Sequence, residues 1–450
     1  MKSKYILPIL LTVCLFQACQ KYLDVEPKGK LIPTTAADFR KLLDNTSAMN
    51  LCGALPEFAT GDVIITDAMF NQLFSASEKN TYTWARDIYD PAEQGIDWSI
   101  PSKQIYNSNL VLEGLEQDKG SSQLLKNTLK GEALFYRALA VYNMAATYAD
   151  VYTPATAQTR LGVPYRSSSD VFVISTRPSL KETYERILDD FTQAVTLLPI
   201  KADVLTRPSK EAALGMLARV YLDMGSYQDA KNYAVKALEI SDVLLDFKTI
   251  SSSAYPRFKL FNEEYLFFTF SYYDYSYYYF GTMNRSLYDL FEPADLRKTM
   301  FFNVSGSGDA ERIIFTGSYS PEPYNFAGLA RDEIYLIAAE GCARNNETAA
   351  ALQYLNKLLE KRYTAAGFVP LTLSGDALLA RILTERRKEL IYRNRRWADI
   401  KRLNTDPRYA VTLTRTVAGT TYTLTPGDPR YVYPIPKPVI NATGMPQNIR

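Results

Sequence analysis

The chain has 450 residues, 47% of them hydrophobic, with 51 Lys and Arg against 49 Asp and Glu. So balanced a charge argues against nucleic acid, which needs a basic face. There is no histidine; this excludes Ser-His-Asp and Cys-His nucleophile pairs and histidine-ligated zinc or iron, and leaves an enzyme only carboxylates, lysines or tyrosines for proton transfer.

At the N-terminus, Lys2 and Lys4 precede an apolar run, Tyr5 to Phe16, broken only by Pro8 and Thr12. A bilayer core takes about 20 residues to cross, so this run is too short, but it has the length of a signal-peptide hydrophobic region. Ala18-Cys19 then reads as a lipoprotein cleavage site, with residues 1–18 removed and Cys19 acylated. Phe16 stands where an aliphatic residue is usual, with Leu15 one position out. Losing Lys2 and Lys4 takes the net charge from +2 to 0, which suits a neutral ligand such as a sugar. No other segment is long and apolar enough to span a bilayer, so the mature chain is expected to meet the membrane through its lipid only. Cys14 leaves with the signal. Cys52 and Cys342 remain, too few for a disulfide framework and wrongly spaced for zinc; they are either two buried thiols or one long-range disulfide.

Residues 45–100 carry mixed signals and read as loops with short elements. Phe135, Ala138, Leu139, Tyr142, Ala145 and Ala146 fall on one helical face. Pro178-Ser179 and Pro208-Ser209 mark two further helix starts, the first helix running from Leu180 to about Leu198 and stopping at Pro199. Leu217, Ala218, Tyr221, Gly225, Tyr227, Ala230 and Ala237 have the spacing of a tetratricopeptide repeat. Ala218 and Ala230 let its helices approach, and Gly225 supplies the left-handed turn. Residues 331–343 with 349–362 form a weaker unit, and 129–148 with 180–198 a third. Each unit exposes an apolar face, so several must stack. Tyr265 to Phe270 reads as a strand, and 303–325, rich in Gly, Ser and Pro, as surface loop. The basic run Arg386 to Arg402 reads as a framework of Arg–carboxylate pairs using Glu385, Glu389 and Asp399, with Trp397 in the core. Val411–Arg415 and Tyr422–Thr425 form a hairpin about Ala418-Gly419, and Tyr433 to Pro436 is extended. With no clear linker, the chain reads as one body, with helical units at about 129–242 and 331–403 and irregular regions at about 45–100 and 262–325.

Several segments together resemble the SusD/RagB family. They are Lys21-Tyr22-Leu23-Asp24 with Pro27; Trp98, Tyr106 and Asn109; Gly131-Glu132-Ala133 with Arg137-Ala138; and Leu217 to Gly225. Further on come Glu385-Arg386-Arg387, Glu389-Leu390, Arg396-Trp397 and Asp399, then Pro434-Ile435-Pro436 with Gln447-Asn448. One departure is Tyr392-Arg393-Asn394, where the family usually has Phe-Glu-Gly. The resemblance implies a mostly α, SusD-like fold of stacked tetratricopeptide-repeat helix pairs plus an irregular ligand-binding half with short strands, with residues 19–450 as a single domain. It implies a non-catalytic, surface-facing outer-membrane lipoprotein. Such a protein binds oligosaccharides and delivers them to a SusC-like TonB-dependent transporter; some members take peptides or other nutrients. Relatives sometimes hold structural calcium, but no calcium loop is visible and no other cofactor or metal is expected.

Sugar rings stack their C–H faces on aromatic planes, and their hydroxyls need polar partners. Tyrosine alone contributes 33 residues. Tyr272, Tyr273, Tyr275, Tyr277, Tyr278, Tyr279 and Phe280 crowd one segment, with Asn284 and Arg285 just beyond. A buried strand face absorbs about half of these rings, so the segment reads either as packed wall or as ligand surface, with Tyr273 to Tyr279 the candidates. Trp84, beside Tyr82 and Arg86, is a candidate platform, and Asp67, Phe70, Asn71 and Gln72 are candidate contacts. Trp98 belongs to the core. The adjacent acids Glu263-Glu264 and Asp189-Asp190 point apart on any regular element, so neither makes a glycosidase pair.

Overall fold

Serines set where the central helices begin. Ser122, Ser179 and Ser209 each take an extended backbone and accept an N–H three residues on, from Leu125, Glu182 and Ala212, satisfying one of the donors that a helix start leaves open. The computed structural model describes residues 33–254, 256–272, 276, 280–320 and 325–450. The expected signal peptide, Cys19 and the landmark from Lys21 to Pro27 lie outside these residues. The longer helices are α1 (Ala36–Leu43), α2 (Ile96–Gln117), α3 (Gln123–Tyr148), α4 (Leu180–Leu197), α5 (Lys210–Asp223), α6 (Tyr227–Ile240), α7 (Arg331–Arg344), α8 (Thr348–Glu360), α9 (Gly375–Glu389) and α10 (Arg396–Leu403).

From α2 to α8 each helix packs on the next, and α9 folds back on α7. The pairs α3/α4, α5/α6 and α7/α8 are the three expected units, with α3 starting earlier than expected, behind its Ser122 cap. Gly225 joins α5 to α6 with φ 74°, and Ala218 and Ala230 are fully buried between them. At Gly341 a Cβ would stand 2.9 Å from the Tyr227 carbonyl oxygen, so α6 and α7 meet backbone to backbone. Thr35–Arg450 is one compact unit.

Strands are short and join distant parts of the chain. β1 (Leu51–Cys52) runs parallel to β4 (Phe270–Ser271), and β2 (Val63–Ile64) pairs antiparallel with β5 (Thr282–Met283). β3 (Tyr265–Phe267) pairs with β8 (Leu329–Ala330); the single strand expected from Tyr265 to Phe270 is thus divided between two partners. The expectation of a surface loop over 303–325 is corrected: β6 (Phe302–Ser305) and β7 (Arg312–Phe315) form a hairpin, Ile313 and Tyr319 are buried, and the Gly- and Ser-rich stretch is mostly the turn. β9 (Leu413–Val417) and β10 (Thr420–Leu424) form the last hairpin, with Ala418 at φ 47° and Gly419 at φ 78°. Beyond the extended Tyr433–Pro436 the chain makes one more short helix, Lys437–Thr443.

A buried ionic lattice ties α7, α9 and α10 to the irregular half. Arg297 reaches Asp295 at 2.8 Å, Glu389 at 2.7 Å and Glu385 at 2.5 Å. Arg362 reaches Glu389 and Glu264, both at 2.7 Å, and Arg386 reaches Asp399 at 2.9 Å and Glu333 at 3.3 Å. Burial alone would raise the Glu333 carboxyl, but Arg219 and Arg386 hold it down at about 2. Charges stripped of water need this degree of pairing. Trp397 packs in the core against Tyr431. In the departing turn, Tyr392 and Asn394 take φ 56° and 55°. Asn tolerates that region better than most residues, which explains how it replaces the usual glycine, and its Nδ2 donates to the Gly53 carbonyl at 2.8 Å. Cys52 and Cys342 are buried free thiols, each pushed up to about 12, chiefly by burial.

Candidate ligand-binding site

The tyrosine-rich segment is fastened at three points to the irregular N-terminal half. At its start, the Tyr272 N–H donates to the Cys52 carbonyl at 2.8 Å, extending the β1–β4 pairing. At its end, β5 lies against β2; the Asn284 N–H donates to the Asp62 carbonyl at 2.8 Å and its Nδ2 to the Gly61 carbonyl at 3.0 Å. In the middle, buried Ser276 donates its N–H to Glu78 Oε1 at 2.9 Å and its hydroxyl to Oε2 at 2.8 Å.

Glu78 is itself buried, in the first turn of the short helix Ala76–Tyr82. The same carboxylate accepts the Ser75 N–H at 3.1 Å while Ser75 Oγ accepts the Glu78 N–H at 3.2 Å. This is a capping box, whose S-x-x-E pattern is visible in the sequence; that signal would have singled out Glu78, which the sequence reading missed. One side chain therefore starts a helix and clamps the tyrosine-rich segment.

Tyr273, Tyr275, Tyr277, Tyr278 and Tyr279 lie outside the described residues. Their described neighbours Tyr272 and Phe280 are half-buried against the core. Phe280 meets Phe74 edge to face, with ring centroids 5.8 Å apart at 75°. Phe74 is 58% exposed and was also missed; its only signal was a lone aromatic in a polar turn.

Asp67, Asn71 and Gln72 are exposed on the short helix Asp67–Phe70 and the turn after it, within a few residues of Phe74. Asp67 Oδ1 accepts the Ala418 N–H at 2.9 Å, joining this turn to the tip of the β9–β10 hairpin. Among the described residues the side-chain amides of Asn71 and Gln72 donate to carbonyls one turn back at 3.4 Å, and both residues are exposed, which leaves these amides accessible to a ligand. Phe70 is half-buried, 5.9 Å from the Tyr82 ring.

Two other expected contacts are engaged elsewhere. Asn284 caps the short helix Arg285–Tyr288, its Oδ1 accepting from the Ser286 N–H at 3.0 Å and hydroxyl at 2.9 Å, so its amide is committed to the backbone. Arg285 is exposed and paired with Asp289 at 2.8 Å and Glu311 at 2.9 Å.

The expectation for Trp84 is corrected. It is 2% exposed, its Nε1 donates to the Ala59 carbonyl at 3.0 Å, and the Arg415 guanidinium lies 4.1 Å from its ring centroid and 4.0 Å from that of Tyr82. Burial pulls Arg415 down to about 10. A ring covered by a cation on one side and core on the other offers no face to a sugar. Trp98 is buried, as expected.

The described part of the site is thus a surface of the exposed amides and carboxylate of residues 67–72 and the Phe74–Phe280 pair. Aromatic planes beside uncommitted amides suit a polyhydroxylated ring with apolar faces. Among the described residues, no group of three or more His, Cys, Asp or Glu is placed to hold a metal, and no helix is long and apolar enough to cross a membrane.

A family model described as "Starch-binding associating with outer membrane" matches residues 21–222, and the SusD family model matches residues 332–449. A curated relative, the SusD-like protein P2 of Formosa agariphila, is 26% identical over 340 residues, or 62% of this chain and 65% of that protein; the match spans slightly less than two thirds of the relative. A SusD superfamily protein of Bacteroides thetaiotaomicron has the same fold, with a TM-score of 0.75 and 22% identity, covering 92% of this chain and 100% of the other. A SusD-like carbohydrate binding protein of Bacteroides vulgatus matches at a TM-score of 0.68 and 20% identity, covering 92% of this chain and 97% of the other. Two family models that between them take in both ends of the helical frame, together with this shared fold, place the chain in the SusD/RagB family.

Proposed function

We propose that this chain is a surface lipoprotein that binds oligosaccharides and hands them to a SusC-like TonB-dependent transporter, without chemical change to the ligand. The observation that carries the reading is exposed Phe74, in one turn with the exposed amides of Asn71 and Gln72, meeting Phe280 of the tyrosine-rich segment, within which Glu78 holds Ser276. The carbohydrate-binding name of the Bacteroides vulgatus neighbour and the starch-binding description of the family model support the same reading. Cys19 would carry the acyl anchor in the outer membrane.

Binding of this kind is modest, because stacking and rim hydrogen bonds compete with water and with the ordering of a flexible chain. Calorimetry against a broad panel of oligosaccharides tests it. Saturable heats for one glycan class, weakened by alanine at Tyr275 and Tyr278 with folding intact, are the expected result. Silence across the panel with heats for peptides would move the ligand class; silence for both would overturn the reading.

A further inference from the structure

The basic run Arg386 to Arg402 holds eight Lys and Arg side chains. Arg386, Arg387, Lys388, Arg393, Arg395, Arg396 and Arg402 each stand 3.5 Å or less from a carboxylate. Among the described residues, Lys401 is the one cation of the run with no carboxylate partner. It is nonetheless buried, 7% exposed, and its Nζ donates to the Ala149 carbonyl at 2.6 Å and the Ala146 carbonyl at 3.0 Å, at the end of α3. Buried charges are normally paired. A helix end supplies the equivalent of about half a negative charge, so roughly half of the ammonium charge stays uncancelled. Nor does this helix end need an ion. The two carbonyls between those of Ala146 and Ala149 take neutral donors, Thr147 the Tyr433 N–H at 3.0 Å and Tyr148 the Asn448 Nδ2 at 2.8 Å.

Lys401 lines a pocket of about 350 Å³, whose wall also carries Asp150, Arg160, Thr405 and Asp428. That volume is at the lower end of small-molecule sites. Each acid of the wall has a cation of its own: Asp150 lies 3.5 Å from Arg160, and Asp428 lies 2.6 Å from Arg430. With those pairs neutral, the surplus charge of the pocket is that of Lys401. The exposed Thr405 hydroxyl donates to the Arg402 carbonyl at 2.7 Å and keeps its acceptor side for a ligand hydroxyl. None of these residues belongs to the surface formed by residues 67–74 and Phe280.

We propose that this pocket is a second ligand site, separate from the glycan surface, which takes a small carboxylate with its charge against Lys401. The surplus cation chooses an anion over a neutral sugar. The pocket volume chooses a small molecule over a polymer. A single ammonium, already partly balanced by the helix end, matches one negative charge and no more; a phosphate dianion would leave excess negative charge beside Asp150 and Asp428. A charge-assisted hydrogen bond to a carboxylate is also roughly twice as strong as a neutral one, so the ligand gains where the two backbone carbonyls alone leave the ammonium under-compensated. Sugar acids and simple hydroxy acids share this chemistry, and the probes below separate them.

The test titrates the full chain by calorimetry with sodium galacturonate, sodium lactate and galactose, at about pH 6 and with ionic strength matched by sodium chloride. Saturable heats for an acid and none for galactose are the expected result; galacturonate alone assigns the pocket to sugar acids, and both acids assign it to hydroxy acids in general. Lys401→Met lowers the affinity by more than about tenfold. That substitution also strips two helix-end carbonyls of their donor, so Asp150→Asn gives an arm that leaves Lys401 in place: it removes the acid that Lys401 feels most and tightens carboxylate binding by about threefold. A pH series gives a third arm. Burial pulls the Lys401 ammonium down from 10.5 to about 8, against Asp150 and then Asp223. Asp150, Asp223, Asp428, Arg160 and Arg430 are of types that do not titrate near that pH, and burial holds the Tyr431 hydroxyl above its usual range. A bound carboxylate favours the ammonium, so the chain takes up protons on binding at about pH 8. Heats there are less exothermic in Tris than in phosphate, and affinity falls at higher pH. Silence with both acids, equal heats with galactose, or an affinity indifferent to Asp150→Asn and to pH overturns the proposal. Each of those results leaves the glycan reading of the other surface standing.

Discussion

Glu78→Ala tests whether one buried carboxylate organises the binding surface. The substitution removes one half of the capping box: Ser75 Oγ still accepts the N–H of residue 78, but the Ser75 N–H loses its carboxylate acceptor, which costs about 1 kcal/mol. It also leaves the N–H and hydroxyl of buried Ser276 without their acceptors, at about 1–3 kcal/mol for each group left unsatisfied. The Ser276 hydroxyl is able to turn toward another acceptor, so the expected loss is about 3 kcal/mol, read as a lower urea midpoint at unchanged slope. Glu78→Gln keeps the shape and one acceptor oxygen and should lose about half as much. The more specific readout is hydrogen exchange. Amides from Tyr272 to Phe280 should exchange much faster in Glu78→Ala, while those of α5 and α6 keep their protection, and affinity for any glycan bound by the wild type should fall in parallel. A loss below about 1 kcal/mol with unchanged exchange over 272–280 would refute the clamp, because two buried donors cannot lose their acceptor at no cost.

Glu57 is buried near Asp62, and burial, then that neighbour, raises its carboxyl from 4.5 to about 8. Between those pH values the folded chain holds a proton that the unfolded chain has released, so Glu57 subtracts stability as pH rises through this window; Glu57→Gln should gain on the wild type from pH 5 to pH 8, with an upper bound of about 5 kcal/mol, and equal stabilities at both ends of a urea series would contradict this. Trp84→Ala should cost about 3–5 kcal/mol by thermal or chemical unfolding and leave glycan affinity of the folded fraction unchanged; a selective loss of binding at full stability would return Trp84 to the ligand surface. Arg297→Met leaves Asp295, Glu385 and Glu389 short of their shared cation and should destabilise by about 3–5 kcal/mol in a denaturant titration, whereas removing the exposed Arg285, paired only at the surface, should change stability by less than about 1 kcal/mol.

The amino-acid sequence by itself determined the helical frame, because its signals are local. Ser179 and Ser209 announce helix starts within four residues, Gly225 marks a turn that needs positive φ, and Ala418-Gly419 closes a hairpin whose strands are adjacent in the chain. The landmark around Glu385 to Asp399 was legible as an ionic framework for a related reason: so many charges among apolar neighbours must pair with one another. Whether a given aromatic is core or surface was decided only by tertiary structure. Trp84 is covered by Arg415, and Ser276 is held by a carboxylate 198 residues away; nothing within reach along the chain specifies either contact. Burial and long-range hydrogen bonds depend on what the fold brings opposite a side chain, and a run of residues records its own periodicity but not its partners.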